Sequence, residues 1–369
     1  MTAHQPHAAP QARLAAKGSS DGGGWTGSKR KRAEPLLAAL DQEGRDFQAA
    51  KYAPNTRRSI STAMTAFLTY CRVTGDWPDL QTGISDQQMI RLIAFWARTL
   101  EYGTITSYLS MGVRQWHLEN GIPYEAARER DAVDAALKGV RRIKGDTPKK
   151  RKLPITIDIL IKMSQQMDPA SAADASFWAA VTTAFFCLLR KGNITATSKA
   201  GAERDLQAAR RADLRWSAAE GGYTLTLRAT KTIQYREREL KLSLPILGDP
   251  RICPTRAMRR YLHASAAATS ELLMQSPEAA GGWAPLTYAV FLEKLKATLR
   301  QAGVNPDAYA GHSLRRGGAT WALSIGIPVP AIKAMGDWKS DAYLAYCEFS
   351  EQIRKRAALQ MARAVPARP

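Results

Sequence analysis

In the stretch GHSLRRGGATWA, residues 311–322, a histidine and two arginines crowd the first turn of an expected helix: His312, Arg315 and Arg316. Cations there oppose the positive end of the helix dipole, so local energetics give no reason for them. An anion would. Positions i and i+3 are neighbours on a helix, so His312 and Arg315 point the same way. Leu314, Trp321 and Ile325 share a different face and are expected to anchor it, with Gly326 as the C-cap. A phosphodiester held here would meet backbone N–H groups, a bidentate guanidinium and an imidazole that gives or takes a proton near neutral pH. That spacing alone is weak, because a histidine with an arginine one turn on is more often a surface pair.

Other residues of the same kind strengthen it. Arg190 follows the apolar run FFCLL, and a guanidinium at the end of a buried helix is costly unless it meets an anion or backbone carbonyls. Lys231 sits in the connection between two expected strands, on a short arm. Near the C-terminus, GDWKSDAYLAY places Trp338, Tyr343 and Tyr346 on an expected short polar helix. Each also has a plain reading: Arg190 as a structural cap, Lys231 as a turn residue, the tyrosines as core aromatics.

The elements that must carry these residues are mostly helical. Ile60, Met64, Phe67, Leu68 and Cys71 line one helix face that Asn55 is expected to cap, with Arg57 and Arg58 in its first turn. SDQQ, at Ser85–Gln88, is a capping box, followed by Met89, Leu92, Ile93 and Trp96. Ile105, Leu109, Val113 and Trp116 form a third stripe that stops at Asn120-Gly121, and Val133, Leu137 and Val140 a fourth. KGDTPKKRKLP, residues 144–154, reads as a basic linker lying along a phosphate backbone or simply solvated. Helices are expected over 156–167 and 172–189. Tyr223, Leu225 and Leu227 alternate with Thr224 and Thr226 in one expected strand, Leu240, Leu242 and Leu244 mark a second that faces it, and Phe291, Leu295 and Leu299 mark a further helix.

The chain divides on this reading into a disordered basic tail (1–40), a helical DNA-binding unit (41–143), the linker (144–154), a catalytic domain (155–350) and a C-terminal tail (351–369). That last segment reads either as a helix docked on a neighbouring protomer or as a frayed basic end. The expected fold class is mainly α with a small antiparallel β-sheet in the C-terminal domain.

Composition narrows the partner. Among 369 residues, 53 Lys and Arg against 33 Asp and Glu give a formal charge of +20, which favours a polyanion, and nucleic acid above others. Four scattered cysteines suggest neither a disulfide framework nor a zinc site. There is no apolar run of membrane-span length and no signal-peptide core, so an intracellular location is expected. Lys29 to Arg32 read as a nuclear import signal, as extra phosphate contacts, or as a solvated charge run.

The ordered set of arginine, hairpin lysine, HxxR helix, tryptophan and tyrosine resembles the catalytic domain of the tyrosine recombinases, the phage-integrase family. The matching motifs are CLLRKGNIT, LRATKTIQ, GHSLRRGGATWA and MGDWKSDAYLAY, in family order across residues 180–349. The helical unit before them resembles the family's core-binding domain. GDWKSDAYLAY and DPRICPTRAMRRYL are most similar to recombinases of eukaryotic mobile elements, the DIRS-type retroelements and Cryptons.

The resemblance implies a site-specific recombinase or integrase. It makes Tyr346 the nucleophile that forms a 3′-phosphotyrosine bond, with Tyr343 the alternative: Tyr346 falls eight positions after Trp338, one short of the commonest family spacing. It makes Arg190 and Arg315 the clamp on the non-bridging oxygens, His312 the aid to proton movement and Lys231 the acid for the departing 5′-oxygen. Trp338 stands where a histidine is usual. No metal and no nucleotide cofactor are implied. The partners implied are double-stranded DNA gripped in a C-shaped clamp and a homotetrameric synapse, in the nucleus if the basic run imports it. Arg57, Arg58, Arg114, Lys149, Lys150, Arg151 and Lys152 are the candidate backbone contacts by charge and placement. Asn193 occupies a place where the family commonly has an acid, which favours a second reading, a catalytically silent DNA-binding protein of the same fold. A type IB topoisomerase is the third.

Overall fold

The computed structural model describes residues 28–145, 152–219, 221–268 and 270–340, together with 355, 358 and 359. The chain forms two compact units, residues 1–149 and 150–369.

The first unit is helical: α1 (Ser28–Ala50), α2 (Pro54–Thr74), α3 (Asp86–Ala97), α4 (Tyr102–Tyr108), α5 (Arg114–Glu119) and α6 (Asp131–Lys144). Its core gathers Phe67, Cys71, Met89, Leu92, Ile93, Trp96, Ile105, Leu109, Val113, Val133 and Leu137, the stripes that the spacing predicts. Ser85 caps α3 through the expected box, its hydroxyl accepting from the Gln88 amide. Three expectations need correction. Helix α1 extends back into residues 28–40, read from composition as tail, because the Ala, Leu, Lys, Arg and Glu there are strong helix formers whatever their periodicity. Helix α2 starts at Pro54 with Ala53 in the cap position, so Asn55 lies inside the first turn rather than capping it. Lys144, read as the start of the linker, ends α6 and donates to the carbonyls of Ala97 and Leu100 at 2.7 and 2.8 Å. The third stripe also carries a π turn, Leu109–Val113, between α4 and α5.

The second unit contains α7 (Ile157–Ser164), α8 (Ala172–Phe186), α9 (Lys191–Ile194), α10 (Pro254–Ala264), α11 (Tyr288–Gln301), α12 (His312–Ser324) and α13 (Val329–Gly336). Strands β1 (Leu214–Ser217), β2 (Gly222–Leu227) and β3 (Leu240–Leu244) make an antiparallel sheet in that order, and β4 (Gln275–Pro277) pairs with β5 (Trp283–Pro285). In the sheet Leu225 lies opposite both Leu214 and Leu242. Helix α8 is apolar on every side and forms the spine of the unit, packed by α10, α12 and β4. No helix of the described residues is long and apolar enough to cross a membrane.

Two glycines let α12 lie close to that spine. A Cβ on Gly317 would come within 1.8 Å of the Ile155 carbonyl oxygen, and one on Gly318 within 2.1 Å of the Phe185 carbonyl oxygen. The RRGG sequence therefore puts the two arginines where larger neighbours would hold the helix off. The unit's anchor on α12 is Leu314, Ala319, Ala322 and the half-buried Trp321, whose ring meets Phe185 and Phe186. Ile325, expected among them, is 50% exposed because it follows the helix end, where Gly326 takes φ +88°.

Candidate active site

Helix α8 stops at Phe186, earlier than its apolar run suggests, because Leu188 turns left-handed at φ +50°. This turn aims the Leu188 carbonyl at Arg315 and brings Arg190 to the cap position of α9. Arg315 is 1% exposed, a position that costs free energy unless its charge meets strong acceptors. Its guanidinium donates to the carbonyl of Leu188 and, at 2.6 Å, to that of Gly336, both at the negative ends of helices. The Trp338 ring covers it, with 3.8 Å between the guanidinium carbon and the ring centroid. The cation that the α12 dipole does not want is thus held by the C-termini of α8 and α13. Arg316 is structural: it donates to the Lys152 carbonyl and fixes the entry to the unit.

Near Arg315, the charges of Arg190 and Lys231 also act on His312. This histidine stays solvent-accessible, but the protein packed about it removes much of its hydration. That desolvation, then the charges of Lys191, Arg315, Arg190 and Lys231, hold its pKa below the ordinary value. The imidazole is therefore neutral at pH 7 and able to accept a proton. Lys231 is exposed, in the turn between β2 and β3. Its neighbours are pinned: the Thr230 hydroxyl accepts from the amides of Thr232 and Ile233 at 3.1 and 3.0 Å.

One residue that sequence reasoning missed ties these parts together. Asp337 caps α13 in the left-handed region, φ +54°, and is 5% exposed. Its carboxylate accepts from Thr230 at 2.7 Å, from Thr232 and from Arg238, and one oxygen lies 3.8 Å from Arg190. Its carbonyl accepts from Arg190 at 3.2 Å. Burial would raise its pKa, but the hydrogen bonds from Thr232 and Thr230 and the Arg238 charge outweigh burial and lower it. A lone aspartate between Gly336 and Trp338 carries no sequence signal, since its partners lie some hundred positions away. Lys191, whose ammonium sits 3.7 Å from the Tyr288 ring centroid, was likewise not singled out.

No protein-family model matches the chain, and no curated protein sequence matches it. Solved structures do. The Tn1549 transposon integrase in complex with transposon right end DNA superposes with a TM-score of 0.58 at 12% identity, over 87% of this chain and 98% of that one. The lambda integrase dimer bound to a COC′ core site gives 0.51 at 14%, over 85% and 96%. The XerH site-specific recombinase in its post-cleavage complex on difH gives 0.51 at 15%, over 76% and 70%. The chain has the tyrosine recombinase fold.

Within that recombinase fold, Arg190, Lys231, His312, Arg315 and Trp338 gather in the second unit. Tyr346, the alternative Tyr343, and Lys149, Lys150 and Arg151 lie outside the described residues. Arg57, Arg58 and Arg114 are exposed on the first unit, and Lys152, on the second, donates to the Asp307 carbonyl at 2.6 Å. Asn193 is 3% exposed and donates to the Gln207 carbonyl at 3.1 Å. The carboxylate facing Arg190 comes from Asp337 instead.

Proposed function

We propose that the protein is a site-specific DNA recombinase or integrase that cuts and rejoins strands through a covalent 3′-phosphotyrosine intermediate. The observation that carries this reading is that, on this fold, Arg190, Arg315 and the turn bearing Lys231 are all anchored on the short stretch Gly336-Asp337-Trp338.

The chemistry follows from those groups. The Tyr346 oxygen attacks the scissile phosphorus, forming an O–P bond as the bond to the 5′-oxygen breaks. Neutral His312 takes the phenolic proton. Lys231, an ammonium on an exposed turn, gives a proton to the departing 5′-oxygen. Arg190 and Arg315 neutralise charge growing on the two non-bridging oxygens of the pentavalent transition state, and Trp338 holds Arg315 in place from above. Rejoining runs the same steps backwards, with a 5′-hydroxyl as the nucleophile. The phosphotyrosine bond retains the phosphodiester energy, so the scheme needs neither a metal nor a nucleotide.

Around that core, the reading takes Arg57, Arg58, Arg114 and the basic run Lys149 to Lys152 as contacts to the DNA backbone. It also includes a homotetramer on paired sites, nuclear import through Lys29 to Arg32, and an origin in a DIRS-type or Crypton-type element. The silent-binder alternative rested on Asn193, and Asp337 removes much of that ground by supplying a carboxylate to Arg190.

The test offers the protein a randomised pool of nicked duplexes without metal and collects adducts that survive denaturation. Adducts are expected from wild type and not from Tyr346→Phe. Loss in Tyr343→Phe alone would move the nucleophile and keep the function. Folded, DNA-binding wild type that gives no adduct would overturn it. A plasmid relaxation assay beside a two-site exchange assay separates recombinase from topoisomerase.

A further inference from the structure

We propose that Asp337 is a positioning residue that holds the Lys231 turn and the Arg190 guanidinium in register with each other; this role rests on the recombinase reading above.

The arrangement is specific. The sequence Thr230-Lys231-Thr232 places a hydroxyl on each side of the lysine, and both hydroxyls donate to Asp337 Oδ2. The lysine between them stays exposed. Arg238, on the return leg of the same connection, donates to Oδ1, so one carboxylate grips the loop on both sides of its tip. Arg190 comes from the other side, reaching the Asp337 carbonyl at 3.2 Å and Oδ2 at 3.8 Å. Three segments distant in sequence thus meet on one side chain: the end of α8, the β2–β3 connection and the end of α13. Gly336, next to Asp337, accepts from Arg315 at 2.6 Å, so both arginines are referenced to the same two residues.

Electrostatics fits such a role. A single carboxylate against Arg190 and Arg238 leaves the cluster positive, so it aligns the cations without cancelling their pull on a phosphate. Position matters at this scale: a displacement of about 1 Å in a charge-stabilising group can cost about a hundredfold in rate. A carboxylate that merely braced the fold would do so without regard to the charge on the substrate. One acting through Arg190 would matter only while a phosphate oxygen needs neutralising.

The experiment compares wild type, Asp337→Asn and Arg190→Ala on nicked duplexes carrying the trapped site, once with a normal scissile phosphate and once with a methylphosphonate, which lacks one non-bridging charge. On phosphate, Asp337→Asn is expected to slow adduct formation about thirtyfold, with DNA affinity within about threefold of wild type. On the methylphosphonate, Arg190→Ala is expected within about threefold of wild type and Asp337→Asn is expected to regain only part of its loss, since the charge that Arg190 answers is gone while the Lys231 turn is still unset. Amide exchange of Thr232 and Ile233 is expected to rise about tenfold in Asp337→Asn, with the β2 and β3 amides unchanged. If Asp337→Asn does not fold, Thr230→Val with Thr232→Val removes the loop's grip and carries the same expectation for phosphate cleavage. Equal losses on both substrates, or wild-type rates and exchange in these variants, would overturn the role while leaving the recombinase reading standing. No adduct from wild type would overturn that reading and this role with it.

Discussion

The guanidinium carbon of Arg315 sits over Trp338, 3.8 Å from the indole centroid, while its ends reach the carbonyls of Leu188 and Gly336. The tryptophan is itself buried with Leu188, Ala319, Ala322 and Ile332. Truncating it opens a cavity and uncovers a buried charge. Trp338→Ala is expected to cost about 3–5 kcal/mol in urea unfolding of the second unit. Trp338→Phe keeps an aromatic face and is expected to cost roughly half as much. Equal losses from the two variants would show that the ring face does nothing for Arg315.

The glycines of RRGG make a sharper contrast. Gly317→Ala and Gly318→Ala each drive a methyl into a backbone carbonyl, at 1.8 and 2.1 Å, and neither carbonyl can swing aside as a side chain would. Each is expected to destabilise by about 2–3 kcal/mol or more. Gly139, inside α6 with nothing within 4 Å of a new Cβ, is the control: Gly139→Ala is expected to stabilise by about 0.5–1 kcal/mol. Thermal melts of the three variants decide it, and a neutral Gly317→Ala would mean that α12 does not sit so close.

These cases mark where the sequence was legible. Capping of α3 could be read because Ser85 and Gln88 are three apart and their chemistry is local. The stripe Phe291, Leu295 and Leu299 on α11 is likewise a property of one helix. Arg190, Lys231, His312 and Arg315 could be picked out by type and order. Asp337 could not, because what makes it matter is its contacts to Thr230, Thr232, Arg238 and Arg190, all made through tertiary structure. Strands β1, β4 and β5 span four, three and three residues, too few for an alternation to show. The π turn at Leu109–Val113 hid behind apolar spacing that an α-helix satisfies equally well.

His117 supplies a pH dependence of the first unit. Its ring is buried between the Ile84 amide, which donates to Nε2 at 3.3 Å, and the Pro123 carbonyl, 2.9 Å from Nδ1. Both contacts suit the neutral tautomer with the proton on Nδ1. Burial lowers the pKa and the Pro123 carbonyl offsets this only in part. With the folded pKa below the unfolded one, the stability held by the neutral ring is full above the ordinary value of 6.5. It is lost as pH falls from there through the folded pKa. Urea midpoints of the first unit are expected to drop between about pH 7 and pH 5, and to drop less in His117→Gln. A pH-independent wild-type midpoint would contradict this.

His312 makes the corresponding statement for the reaction. Its pKa is lowered first by desolvation, and among the charges Lys191 acts most strongly. A base that must be neutral works down to its own pKa, so the acid limb of adduct formation is expected below the ordinary 6.5. Lys191→Ala removes the leading repulsion and should move that limb up, toward 6.5, without abolishing the reaction. Lys191→Arg keeps the charge and should leave the limb where it was. The measurement is the rate of adduct formation on a nicked duplex across pH 5 to 8 for the three proteins, at saturating DNA so that weaker binding does not masquerade as slower chemistry. A limb that does not move with Lys191→Ala would show that the proton acceptor is some other group, and His312 would lose its proposed role as base while the roles proposed for Arg190 and Arg315 stood.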